Sequence, residues 1–119
     1  MRIIPVASVT LAAVFAMAPA LVQALDVRSV EHLNLPVWIV AGDADTVAPP
    51  ATNAAVVARL APESVFDLLP QVGHYAFLST CTPAGVASIR VCALAGLQAA
   101  AHQLAIAKAR ELFDRYVKP

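Results

Sequence analysis

Two short apolar runs stand out along the chain: Val37-Trp38-Ile39-Val40-Ala41, closed by Pro36 before and Gly42 after, and Val65-Phe66-Asp67-Leu68-Leu69, which ends at Pro70. The first is rich in β-branched and aromatic residues and does not alternate, so it reads as a central parallel strand with both faces covered. The second reads as a shorter strand. Between them, residues 51–60 read as a helix, with Pro49 and Pro50 placed where missing N–H groups do least harm and Pro62 as the stop. Strand, helix, strand is one crossover unit, which predicts residues 37–41 and 65–69 as neighbouring parallel strands. Before it, residues 26–34 suggest a helical turn ending at the Leu35-Pro36 step.

Residues 75–96 are mixed, and Cys81, Pro83, Gly85 and Cys92 predict loop with a short helix. The clearest periodicity comes last. Leu97, Ala101, Leu104, Ala105, Ala109, Leu112, Phe113 and Tyr116 recur at helical spacing, while Gln98, Lys108, Arg110, Glu111, Asp114, Arg115 and Lys118 take the other side. This pattern predicts an amphipathic helix packed on the sheet.

The first 25 residues support two readings. No charged residue occurs from Ile3 to Leu25, Arg2 supplies a positive start, and Val22-Gln23-Ala24 offers a small-residue cleavage site, which together make a secretory signal pattern. The run is also long enough to span a bilayer if left uncleaved, although Pro5 and Pro19 oppose a continuous helix. On the other reading, residues 11–17 are a buried strand of the same sheet and Ala18-Pro19-Ala20 is its exit loop. The segments are therefore residues 1–25, leader or strand, and residues 26–119, an α/β unit.

Composition sharpens the picture. The 119 residues suffice for one domain. They are 60% hydrophobic and 13% charged, where a soluble domain averages about 45–50% and about 25%. Such a chain either enters a membrane, through residues 3–25 alone, or is covered by more protein. Eight basic residues balance eight acidic ones without a basic cluster, which argues against nucleic acid as a partner. His32, His74 and His102 lie far apart and the two cysteines share no short spacing, so no structural zinc pattern appears, and nothing calls for a cofactor.

In open α/β sheets, functional groups collect in loops at the C-terminal ends of strands. Asp45 follows the first strong strand in such a loop, and His74 follows the second. A carboxylate bonded to a histidine fixes its tautomer and stabilises the imidazolium formed when it takes a proton from a nucleophile. Asp43 is the rival acid and is read as supporting the turn. His32 and His102 read as ordinary histidines on helical segments, and Ser79 lacks a turn to expose its hydroxyl.

Residues 35–50, Leu-Pro-Val-Trp-Ile-Val-Ala-Gly-Asp-Ala-Asp-Thr-Val-Ala-Pro-Pro, and residues 69–78, Leu-Pro-Gln-Val-Gly-His-Tyr-Ala-Phe-Leu, resemble the α/β-hydrolase superfamily. The likeness is to its bacterial dienelactone-hydrolase-like members, related to the platelet-activating-factor acetylhydrolases. It runs on through residues 77–85 toward the terminal helix, and upstream residues 14–20 look like the preceding family strand and its loop. The resemblance implies the C-terminal portion of an α/β-hydrolase fold with an incomplete sheet, Asp45 as triad acid, His74 as triad base, and a small acyl or ester substrate. One departure is large: Gly42, Gly73, Gly85 and Gly96 flank no G-x-S-x-G elbow or cysteine counterpart. The nucleophile is absent from this sequence, and the isolated chain is expected to be inactive.

Cys81 and Cys92 form an even pair. In an exported, periplasmic or secreted chain they read as a disulfide; in a cytoplasmic chain they read as reduced and packed. Three functional readings follow: a truncated hydrolase, a split hydrolase completed by a separate N-terminal half, or a small exported disulfide-bonded binding module without catalysis. An unpaired sheet edge would also make the chain associate with itself.

Overall fold

The computed structural model describes residues 11–95 and 97–117. Residues 2–10 of the leader-like run, Gly96, and Lys118 on the terminal helix's polar side lie outside the described residues. The architecture is mixed α/β: a three-stranded parallel sheet in the order β1-β2-β3 with helices on both faces.

Strand β2, Val37–Gly42, is central, with β1, Val14–Met17, on one side and β3, Ser64–Leu69, on the other. Val14 pairs with Val37 and Met17 with Val40, while Val37 also pairs with Ser64 and Gly42 with Leu69. The two apolar runs are thus parallel neighbours, each one residue longer than the pattern alone marks. Ile39 and Val40 are wholly buried on opposite faces because successive strand side chains alternate. Ile39 joins Val37 and Ala41 against Val30 of helix α1, Val27–Glu31, and Ala54 of helix α2, Ala54–Leu60. Val40 packs with Leu69, Val72, Ala76 and Ala101, the last from the terminal helix.

Helix α2 departs from expectation. Residues 51–60 are not one helix: Pro50–Thr52 is a 3-10 turn, and Asn53, at φ −127° and ψ −89°, interrupts before Ala54. The Asn53 side chain supplies the reason. Its amide donates to the Pro49 carbonyl and the Thr52 hydroxyl, while its oxygen accepts from the Val22 N–H, so a buried asparagine is tied to the turn before it and to the segment at Val22. Local bonds of this kind compete with helix.

After β3 come a 3-10 turn, His74–Phe77, two short helices, α3 (Pro83–Ser88) and α4 (Arg90–Ala93), and the long α5, Gln98–Tyr116. Only part of the predicted apolar side of α5 is covered: Ala101, Ala105 and Leu112 are buried, whereas Leu97, Phe113 and Tyr116 remain well exposed. A 19-residue helix runs about 28 Å, longer than strands of four to six residues at about 3.3 Å each. The helix therefore overhangs the sheet it packs on. Among the described residues no helix is long and apolar enough to cross a membrane.

Candidate active site

Beyond the ends of β2 and β3 the two segments stay zipped together. Asp43 N–H donates to the Leu69 carbonyl at 2.9 Å, Gln71 N–H to Asp43 Oδ1 at 2.6 Å, and Ala44 N–H to the Val72 carbonyl at 3.1 Å. The approach is so close that a Cβ on Gly42 would stand 1.8 Å from the Val72 oxygen. Glycine is required there by space alone. One step further along this seam, Asp45 meets His74.

Asp45 is buried, with its side chain fully covered. Its Oδ1 accepts from the N–H groups of Val47 at 3.0 Å and Ala48 at 2.7 Å, a side-chain turn that fixes the carboxylate's rotation. Its Oδ2 lies 2.7 Å from His74 Nδ1. A carboxylate oxygen only accepts, so Nδ1 carries the proton and donates, which leaves Nε2 as the free ring nitrogen of the neutral imidazole. Nε2 has no hydrogen-bond partner among the described residues. The His74 side chain keeps about a fifth of its surface open, and the Tyr75 ring stands edge-on to it with centroids 5.2 Å apart.

His74 borders a cleft of about 330 Å³, walled by Ala44, Thr46, Val47, Tyr75, Ala93 and Leu94. No charged side chain is among these. The wall at Ala93 and Leu94 follows Cys92, which is disulfide-bonded to Cys81 with Cα atoms 5.8 Å apart. Gly73 abuts that wall: a Cβ there would lie 2.6 Å from the Leu94 oxygen.

Asp45 and His74 are brought together, and Cys81 and Cys92 are bonded. Asp43 braces the turn across the loops. Of the other histidines, His32 Nδ1 bonds the Arg28 carbonyl at 2.7 Å, and His102 Nε2 the Leu78 carbonyl at 2.8 Å. His102 is not a bystander, because with Gln98 it clasps the segment after the His74 turn: Gln98 donates to the Ser79 carbonyl at 3.2 Å and accepts from Cys81 N–H at 3.1 Å. Only the i, i+4 spacing of Gln98 and His102 on one helix face hints at this in the sequence. Ser79 makes no bond to His74 among the described residues, and both cysteines are tied up in the disulfide. Among the described residues, no three His, Cys, Asp or Glu side chains converge to hold a metal ion.

The arrangement can do one kind of chemistry on its own: accept a proton at Nε2 and hold the resulting imidazolium against a buried carboxylate. No protein-family model and no curated protein matches this chain.

Proposed function

We propose that this chain is the C-terminal segment of a serine-type α/β hydrolase of the carboxylic-ester class, supplying the triad acid Asp45 and base His74 to a nucleophile carried on another segment. The observation that carries the reading is the 2.7 Å contact between buried Asp45 and His74 Nδ1 at the C-terminal ends of adjacent parallel strands. Nε2 would take the proton of a serine hydroxyl as its oxygen attacks the ester carbonyl. The imidazolium, stabilised by Asp45, then returns that proton to the departing alcohol. Water repeats the sequence on the acyl-enzyme, releasing the acid. The uncharged cleft beside His74 suits a small acyl or ester substrate.

The disulfide favours an oxidising compartment, periplasmic or secreted. It also supports a second reading, an exported binding module without catalysis. The pairing of β1 in the sheet favours a chain that retains residues 14–17 over one trimmed at Ala24, which supports the alternative, cytoplasmic location that goes with residues 11–20 as a sheet strand.

The test is turnover of a short-chain nitrophenyl ester. The chain alone should give no appreciable rate, because the pair lacks a nucleophile and each missing oxyanion donor is worth about 3–4 kcal/mol. Joined to a segment encoded upstream that bears G-x-S-x-G, it should turn over, and His74→Ala should abolish the rate. Turnover indifferent to His74→Ala would refute the triad role. A robust His74-dependent rate from the chain alone would reveal a nucleophile within it, with Ser79 the first suspect.

A further inference from the structure

Asp43 and Asp45 sit two residues apart in one loop, yet their carboxylates hold different groups. Asp45 turns inward to its own loop and to His74. Asp43 reaches across to the neighbouring loop, where Oδ1 accepts the N–H of Gln71 at 2.6 Å. Gln71 has φ +61°, the left-handed region that a side chain with Cβ rarely adopts without support.

That residue is the bend of the loop. Before it, Leu69 still follows the β3 ladder, with its carbonyl accepting from Asp43 N–H. After it, Val72 offers its carbonyl to Ala44, the next residue along the facing loop, and two residues later His74 faces Asp45. No backbone carbonyl meets the Gln71 N–H among the described residues; the Asp43 carboxylate takes the place a ladder carbonyl would hold.

We propose that Asp43 is a positioning residue: by holding the left-handed bend at Gln71 it sets the His74 ring against Asp45. The inference rests on the Asp45–His74 reading and adds the device that assembles the pair. A turn-supporting aspartate acting only within its own loop would stabilise residues 43–48; this one spans from β2 to β3 and acts on the partner of the acid.

The experiment reads the His74 ring by nitrogen-15 and proton NMR on the whole chain. Wild type should show the Nδ1–H tautomer with a protected, downfield Nδ1 proton, and Asp45→Ala should lose it. Asp43→Ala should lose that proton as fully as Asp45→Ala, with ring shifts moving to the exchange-averaged values of that variant. Asp43→Asn keeps an oxygen acceptor and should retain the signal. In Asp43→Ala combined with Gln71→Gly, glycine adopts the bend without help, so the signal should return; this double variant also carries the test if Asp43→Ala alone does not fold.

A signal unchanged in Asp43→Ala, lost in Asp43→Asn, or missing from a folded double variant overturns the proposal while leaving the Asp45–His74 pair intact. A wild-type signal that survives Asp45→Ala, or no signal at all, overturns the pair and this inference with it.

Discussion

Glycine at position 42 does what no other residue could. Its missing Cβ lets the Val72 carbonyl come close enough to accept from Ala44, and so lets the acid loop lie on the histidine loop. Gly42→Ala should force the loops apart at a cost of about 1–3 kcal/mol, lowering the melting temperature by roughly 4–8 °C per kcal/mol and weakening the protection of His74 Nδ1. Thermal melts and the His74 resonance check this together. A second residue-scale expectation concerns Asp26, the N-cap of α1. Its carboxyl is held below the ordinary carboxylate value, chiefly by the Ser29 hydroxyl and then by the Ser29 N–H. A carboxyl whose folded pKa is depressed contributes stability above the unfolded value, about 3.9, and loses it as pH falls through the lower folded value. The stability gap between wild type and Asp26→Ala should therefore be flat near neutrality and close progressively in acid below about pH 4, as measured by denaturant melts across pH.

At the scale of elements, the short helices α3 and α4 bury too little to stand alone, with no buried residue in either. The Cys81–Cys92 bond and the Gln98 clasp hold them instead. The bond closes a separation of 11 residues, worth on the order of 3 kcal/mol in the loop-entropy model. Reduction, or Cys81→Ser with Cys92→Ser, should lower stability by about that much and loosen the Ala93–Leu94 wall more than the sheet. Hydrogen exchange would show the difference as lost protection confined to residues 81–95. Thiol counting on protein recovered from an oxidising compartment should find none free; two free thiols there would refute the bond and weaken the case for export.

On the scale of the molecule, the two sheet edges differ. Val14 and Ala18 spend their N–H groups on the Pro36 and Val40 carbonyls, so the backbone of Phe15 and Met17 turns outward along β1. Beside that edge Phe15, Met17, Ala105, Ile106, Ala109 and Phe113 line an apolar groove of about 360 Å³. At the far edge, β3 carries Asp67, bonded to the Trp38 ring N–H at 2.7 Å, with Glu63 close by. Charge guards β3, and among the described residues nothing comparable guards β1. With zero net charge to keep copies apart, we expect the isolated chain to associate with a second copy through β1. Sedimentation should give a mass above 12.4 kDa, and Met17→Lys should return it toward the monomer; a wild-type monomer at high concentration would count against the β1 edge.

How much of this was legible in the residues follows from the range of the interactions. The run from Val37 to Ala41 could be read as a central strand because Pro36 and Gly42 bound it and its side chains are apolar on both faces, properties local to five residues. Asp45 and His74 were legible as candidates because each stands just past a strand, and parallel neighbours deliver such loops to one end. The interruption at Asn53 was not, because the bonds that hold its side chain there combine local ones to Pro49 and Thr52 with one to Val22, 31 residues away. The overhang of α5 depends on how wide a sheet lies beneath it, and the state of the cysteines depended on a compartment that spacing alone does not name. The sequence by itself determined β2 and β3 as parallel neighbours and the residue types able to do proton chemistry, since these follow from backbone preference and apolar periodicity, whereas the place of β1 in the sheet came only with the fold. Only the tertiary structure decided that Asp43 reaches across to Gln71 and that His74 turns its Nδ1 to Asp45, because hydrogen bonds between loops depend on distances that the folded sheet sets.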